Sequence, residues 1–247
     1  MKIALISDIH GNLPALEAVL CDIEKHNIGK IICLGDIIGK GPDSRSCFEI
    51  CISKCDINLI GNWEAFIFGN YLSSLKGRTI GSSTKWYINE LGDENLKTAS
   101  KFPHYCEFFL SGNLVRVFHA HPKTFNRYHP TSEIEKRREL FEPPDKAVQK
   151  KADIAIYADI HTVYLQELDN RILLNTGSVG NPLDITQASY VILDGNYDET
   201  TPSAFSTQFV RVPYDIERAV SIAKKSGMPH FHEYKTELQT AQYCRRS

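Results

Sequence analysis

Apolar and polar positions in the first sixty residues repeat one unit. Lys2-Ile3-Ala4-Leu5-Ile6-Ser7 is a short run of strand formers that gives way at once to Asp8, His10, Gly11 and Asn12. Pro14 then sits where a helix can begin. Leu16, Val19, Leu20 and Ile23 recur at helical spacing, and Asn27-Ile28-Gly29 closes the segment. The order returns in Lys30–Leu34 followed by Gly35-Asp36, a helix across 43–54, and Ile57–Ile60 followed by Gly61-Asn62. Each predicted strand ends on polar residues, as a strand does when it delivers side chains to its carboxyl end.

Residues 64–104 read as mostly helical, and Tyr105–Leu110 pairs with Leu114–Phe118 across Ser111-Gly112-Asn113 as a hairpin, with His119 just beyond it. Residues 122–151 are polar. Pro122, Pro130, Pro143 and Pro144 punctuate two helical pieces there that carry Lys136, Arg137, Arg138, Lys146, Lys150 and Lys151. This insertion either faces a substrate or is an ordinary solvated helix surface. Ile154–Tyr157 leads into Ala158-Asp159-Ile160-His161, and strands near 163–168, 171–174, 189–193 and 207–212 suggest a meander with a hairpin loop at 196–206. A helix over about 214–226 closes the pattern. No repeat, low-complexity tract or linker interrupts it, so residues 1–247 read as one α/β domain.

Composition narrows the function classes. A hydrophobic content of 42% supports one sizeable core, and 28 basic against 30 acidic residues leave a formal charge of -2. That balance supplies no field to draw in nucleic acid or an anionic membrane, so an anionic substrate has to be held locally. Neither an export signal nor an apolar run long enough to span a bilayer is evident. Together with seven cysteines, this points to a reducing cytoplasm. Cys47, Cys51 and Cys55 share a helix face where a metal is conceivable, but Phe48, Ile50 and Ile52 around them favour small buried hydrophobes. The oligomeric state is left open.

Five strand ends thus present Asp-x-His, Gly-Asp, Gly-Asn, His and Asp-x-His, in that order. Carboxylate, imidazole and amide oxygen together suit a pair of divalent ions. The ordered set resembles the calcineurin-like metallophosphoesterases in Asp8-Ile9-His10, Gly35-Asp36 through Gly41, Gly61-Asn62-Trp63-Glu64, His119 and Ala158-Asp159-Ile160-His161. Gly39–Asp43, Asn175–Gly180 and Arg211–Asp215 further resemble a compact bacterial branch of predicted phosphodiesterases. The resemblance implies a four-layer α/β/β/α sandwich with two facing mixed sheets.

It also implies a division of labour. One metal falls to Asp8, His10 and His161, the other to Asn62, His119 and position 159, and Asp36 bridges them. A bridging carboxylate holds two cations roughly 3.5–4 Å apart, where they share a water, lower its pKa and present hydroxide to phosphorus. The expected activity is hydrolysis of small phosphate esters or anhydrides, with a metal- or phospholigand-binding protein without turnover as the alternative. Two positions depart from the family pattern. Asp159 stands where a histidine is usual, which favours manganese, iron or magnesium over zinc. Trp63 replaces a histidine thought to act as general acid, so that His121 first, or His129 or Glu64, substitutes for it, the leaving group needs no proton, or activity is lost. Asp36, Asn62 and His121 are therefore the expected catalytic residues. Arg116, Lys123 and Arg127 are possible phosphate contacts that no spacing fixes.

Overall fold

Parallel strands with short helical crossovers build the half of the molecule that the first sixty residues predict. A computed structural model describes residues 1–125 and 133–245. Within it β1 (Lys2–Ile6), β2 (Ile28–Cys33) and β3 (Ile57–Asn58) are parallel neighbours, linked by α1 (Leu13–Ile23) and α2 (Ser44–Lys54). On the other edge of β1 lies β9 (Ala188–Asp194), antiparallel, followed by β10 (Ser206–Val212), giving the order β10-β9-β1-β2-β3.

The second sheet runs β4 (Tyr105–Leu110), β5 (Asn113–Phe118), β6 (Ile154–Tyr157), β8 (Arg171–Thr176), β7 (Val163–Leu168). Its central three strands are parallel and its edges antiparallel. Side-chain alternation places the layers. Ile3 and Leu5 join Val115, Val117, Ile156 and Leu174 between the sheets, whereas Ala4 and Ile6 join Leu16, Val19 and Phe48 on the helical side. A strand buried on both faces needs that unbroken apolar run. With α3 (Asn62–Leu75), α4 (Ser82–Leu91) and α5 (Asp93–Ala99) packed on the first sheet, the architecture is the expected α/β/β/α sandwich.

Three details differ from the pattern read off the sequence. The proposed meander is two hairpins in different sheets, β7–β8 and β9–β10, because the chain crosses between sheets after Thr176. The layer over the second sheet is thin. Its one described helix, α6 (Ile134–Glu139), buries nothing, and Leu140, Phe141 and Ala152 from irregular chain cover Phe118, Tyr157 and Leu173. Pro143-Pro144 breaks the second expected helical piece. Fully buried Arg116 also takes its carbonyls: Nη1 donates to Phe141 O (2.8 Å), Nη2 to Val148 O (3.2 Å) and Lys150 O (3.0 Å), with Glu107 as ionic partner.

Lastly, the chain continues past α7 (Ile216–Ser226) through left-handed Gly227 into α8 (Phe231–Thr240), which buries Tyr234, Glu237 and Leu238. A buried glutamate in a polar stretch hides this helix from a hydrophobic-periodicity reading. Among the described residues, no helix is long and apolar enough to cross a membrane.

Candidate metal centre

The loops that leave β1, β2, β5 and β6 carry Asp8 and His10, Asp36, His119, and Asp159 and His161, while Asn62 opens α3 after β3. Backbone conformation is unusual there. Asp8 (φ 50°), His10 (48°), Asp36 (52°), Asp159 (67°) and His161 (58°) are all left-handed, a conformation costing on the order of 1–3 kcal/mol at a non-glycine residue. Cross-loop hydrogen bonds hold it: Asp8 N donates to Gly35 O (3.0 Å), His10 N to Asp36 O (2.9 Å) and Gly11 N to Ile37 O (2.9 Å).

Glu64, at the third position of α3, clamps the loops after β2 and β3. Its carboxylate accepts from Gly61 N (2.8 Å), Asp36 N (2.9 Å), Ile37 N (2.8 Å) and Ile38 N (3.3 Å). Burial and the neighbouring Asp36 carboxylate push this acid up to about 7, against the pull of His119 and the backbone donors. Occupied in this way, Glu64 is a structural clamp. A Cβ at Gly61 would lie 2.2 Å from Asp36 Oδ1, so only glycine lets the two loops approach.

Three imidazoles converge with the same ring nitrogen committed to the backbone. Nδ1 of His10, His119 and His161 each donates to a backbone carbonyl: Ile38 O (3.1 Å), Leu34 O (3.0 Å) and Asn181 O (2.5 Å). A carbonyl only accepts, so in the neutral rings each Nε2 carries a lone pair aimed inward. His10 Nε2 lies 3.1 Å from His161 Nε2 and 3.6 Å from Asp36 Oδ2. His119 Nε2 lies 3.5 Å from Asp36 Oδ2 and 3.9 Å from Asp159 Oδ1, and His161 Nε2 lies 3.3 Å from Asp8 Oδ1. Asn62 Nδ2 donates to Asp159 Oδ1 at 2.6 Å, and Asp159 N to Asp8 Oδ2 at 3.2 Å. All seven residues expected from the sequence therefore form one connected cluster.

The electrostatics fit divalent cations. Asp8, Asp36 and Asp159 bring three carboxylates into a buried space, where uncompensated like charges are costly. Asp8 Oδ1 and His119 Nε2 are buried without a hydrogen-bond partner. Burial, then Lys40 and His161, drives His10 well below the ordinary histidine range. At His119 burial acts the same way, but Asp36, Asp8 and Asp159 outweigh it and hold the ring well above that range. Asp8 is lowered because His161 and His119 overcome its desolvation. Two groups of ligand atoms lie within metal-binding reach of one another, Asp8 with His10 and His161, and Asp8 with Asp36 and His119.

The remaining expectations separate. His121 Nδ1 accepts from Lys123 N (3.1 Å) and is 3.3 Å from the Thr124 hydroxyl, so its tautomer is opposite to that of the three converging rings. It does not belong to either group of ligands, and burial lowers its pKa. Trp63 donates its backbone N–H to Asp36 Oδ1 (2.8 Å) and sets its ring edge-on to His10, with centroids 5.9 Å apart. Arg116 is committed to Glu107 and the insertion, away from any phosphate role. Arg127 and His129 lie outside the described residues.

Tertiary structure adds residues to which the sequence reading gave no role. Lys40 Nζ, buried, lies 3.0 Å from Asn181 Oδ1 and 3.5 Å from His161 Nε2. Burial, followed by Arg245, lowers it to about 8. Asn181 orients His161 through its carbonyl and donates Nδ2 to Glu237 Oε2 (3.1 Å) on α8. Lys40 lay inside the noted Gly39–Asp43 motif and Asn181 directly after Asn175–Gly180, but nothing in the sequence pointed to Glu237.

Residues 1–198 match the family model described as the calcineurin-like phosphoesterase superfamily domain. An uncharacterised protein of Methanocaldococcus jannaschii is 32% identical over 246 residues, spanning 93% of this chain and 94% of that one. Two crystal structures share the fold, each with a TM-score of 0.72. A metallophosphoesterase from Sphaerobacter thermophilus is 23% identical and covers 98% of this chain and 99% of its own. A hypothetical protein from Pyrococcus horikoshii is 17% identical and covers 100% and 99%. The curated relative is archaeal, so the narrower bacterial grouping gains no support from it. With the family model covering most of its length, the chain belongs to the calcineurin-like phosphoesterase superfamily.

Proposed function

We propose that this chain hydrolyses small phosphate esters or anhydrides with two divalent metal ions held by Asp8, His10, Asp36, Asn62, His119, Asp159 and His161. One observation carries the reading: Asp36 Oδ2 is 3.6 Å from His10 Nε2 of the first ligand group and 3.5 Å from His119 Nε2 of its own group, within reach of both, while Asp8 belongs to both groups. When bound, such ions activate a water for attack on phosphorus and neutralise charge on the phosphate oxygens. The hydrogen bonds donated by the imidazoles and those accepted by Glu64 hold the ligands in place, so little reorganisation accompanies the reaction.

Asp159 in place of a nitrogen ligand favours manganese, magnesium or iron, with zinc the weaker fit. His121 is the proposed hydrogen-bond donor to the leaving oxygen, through the Nε2 proton that its Nδ1 contacts imply. Burial lowers the His121 pKa, and a neutral ring can share that proton in a hydrogen bond but has no second one to give, which fits aryl esters and anhydrides better than alkyl esters. The nearly balanced charge argues against nucleic acid as substrate. Trp63 supplies a second reading, a site that binds metal or phosphorylated ligand without turnover.

A panel of aryl and alkyl phosphate mono- and diesters, assayed with manganese, magnesium, iron or zinc, separates the two. Aryl ester hydrolysis, strongest with manganese and reduced at least about a hundredfold by Asp36→Asn, is the expected result. Metal uptake without turnover on any ester would leave the binding reading standing instead. Activity surviving Asp36→Asn would point to a contaminant.

A further inference from the structure

Lys40 is a buried cation that the division of metal ligands leaves without a task. Its ammonium faces the first ligand group: Nζ lies 3.5 Å from His161 Nε2, the atom that also meets Asp8 Oδ1 at 3.3 Å and His10 Nε2 at 3.1 Å.

The surrounding chain aims it there. Lys40 has left-handed backbone (φ 57°), and a Cβ at the following Gly41 would lie 2.3 Å from His10 O, so this loop presses directly on the one after β1. Arg245 Nη2 donates to Lys40 O (3.5 Å). At the other end Nζ donates to Asn181 Oδ1 (3.0 Å). The orientation of that amide is fixed, because Asn181 Nδ2 donates to Oε2 of fully buried Glu237 (3.1 Å), to which Arg245 Nε also donates (3.2 Å).

An ammonium has three N–H donors. Asn181 takes one and His161 Nε2 a second, but a metal on that nitrogen uses its lone pair and frees the donor. No carboxylate among the described residues forms an ion pair with Lys40, and Glu237, Asp36 and Asp8 attract it only from longer range. A desolvated cation beside divalent cations is unfavourable until an anion lies between them.

We propose that Lys40 receives a terminal phosphate oxygen of the substrate and thereby selects phosphate monoesters and terminal phosphoanhydrides over diesters. The proposal rests on the phosphoesterase reading. A monoester has three terminal oxygens, so two can meet the metal ions and a third remains for Lys40. A diester has only two, and its ester oxygens are weak acceptors. The monoester dianion also brings one more negative charge to a site crowded with cations.

Inorganic phosphate carries no leaving group and therefore probes the oxygen contacts alone. Calorimetric titration of the manganese-loaded full chain should give saturable binding that Lys40→Gln weakens at least about tenfold, with the glutamine amide still donating to Asn181. Manganese titration of the metal-free variant should show an affinity equal to wild type or tighter, since a neighbouring positive charge is lost. In turnover, the ratio of kcat/KM for p-nitrophenyl phosphate to that for bis(p-nitrophenyl) phosphate should fall at least about tenfold in the variant. Absence of phosphate binding by wild type, equal phosphate affinity in the two proteins, or an unchanged ratio overturns the proposal. Weaker manganese binding by Lys40→Gln makes Lys40 a support for His161 and overturns it too. Phosphate binding that depends on Lys40, without hydrolysis of either ester, overturns the phosphoesterase reading and leaves Lys40 as a phosphate contact.

Discussion

His10 Nε2 and His161 Nε2 face one another across 3.1 Å in a buried site, although the Nδ1 of each ring is committed to a backbone carbonyl. With both rings neutral, two lone pairs point at each other, a repulsion that a metal cation or a shared proton relieves. Both residues sit in left-handed backbone, so the fold holds the two rings together at a local conformational cost.

Metal binding should therefore stabilise the folded state. At a free manganese concentration one hundred times Kd, linkage contributes about 2.7 kcal/mol. That corresponds to a rise in Tm of roughly 5–10 °C for a chain of this size. His161→Ala should lose at least half of the rise. Scanning calorimetry with and without manganese measures both, and an unchanged wild-type Tm would count against a metal site.

Replacing Trp63 should expose the missing acid. Trp63→His restores a proton-bearing ring beside Asp36 and His10 and should raise hydrolysis of alkyl esters about a hundredfold relative to aryl esters. The indole packs on Gly39 and Tyr87, so the shorter ring also leaves a void and lowers stability. An aryl-to-alkyl rate ratio identical to wild type would show that position 63 has no part in proton transfer.

Arg116 ties the irregular segment 141–150 to the second sheet. Arg116→Met strands the Glu107 carboxylate and three backbone carbonyls, and should cost about 3–5 kcal/mol. Urea denaturation gives the stability and hydrogen exchange of 141–150 gives the local effect. A loss below about 1 kcal/mol would mean that the segment is held by its apolar contacts alone.

Glu90 accepts hydrogen bonds from Arg45 N at the start of α2, and burial pushes its carboxyl up to about 7 although that contact opposes the shift. Its pKa is raised in the folded state above the ordinary 4.5, so the folded protein binds more protons than the unfolded chain in between. Stability from this group is complete below about pH 4.5 and is lost as pH rises through about 7. Glu90→Gln should remove that part of the pH dependence. A wild-type and a variant profile that run parallel between pH 4.5 and 7 would refute the assignment.

Local pattern along the chain marked the places where ligands could be collected. An apolar run that stops on Asp-x-His, Gly-Asp or Gly-Asn specifies a strand and its carboxyl end together, so Asp8, His10, Asp36, Asn62, His119, Asp159 and His161 were legible from local pattern alone. The apolar run from Ile3 to Ile6 required cover on both faces, and that a second sheet supplies one of them came only with the family resemblance.

Packing between distant segments fixed which sheet each later hairpin joined, that Arg116 is a buried brace, and that Lys40 and Asn181 reach His161 with Glu237 behind Asn181. Each depends on a partner far away in the chain: Asn181 meets Glu237 across 56 positions, and Lys40 meets Asn181 across 141. Hydrophobic period reports which face of an element is buried, whereas the pairing of a polar group is fixed by the element packed against it. A buried glutamate on α8 therefore looks like a solvated one until the layers have closed.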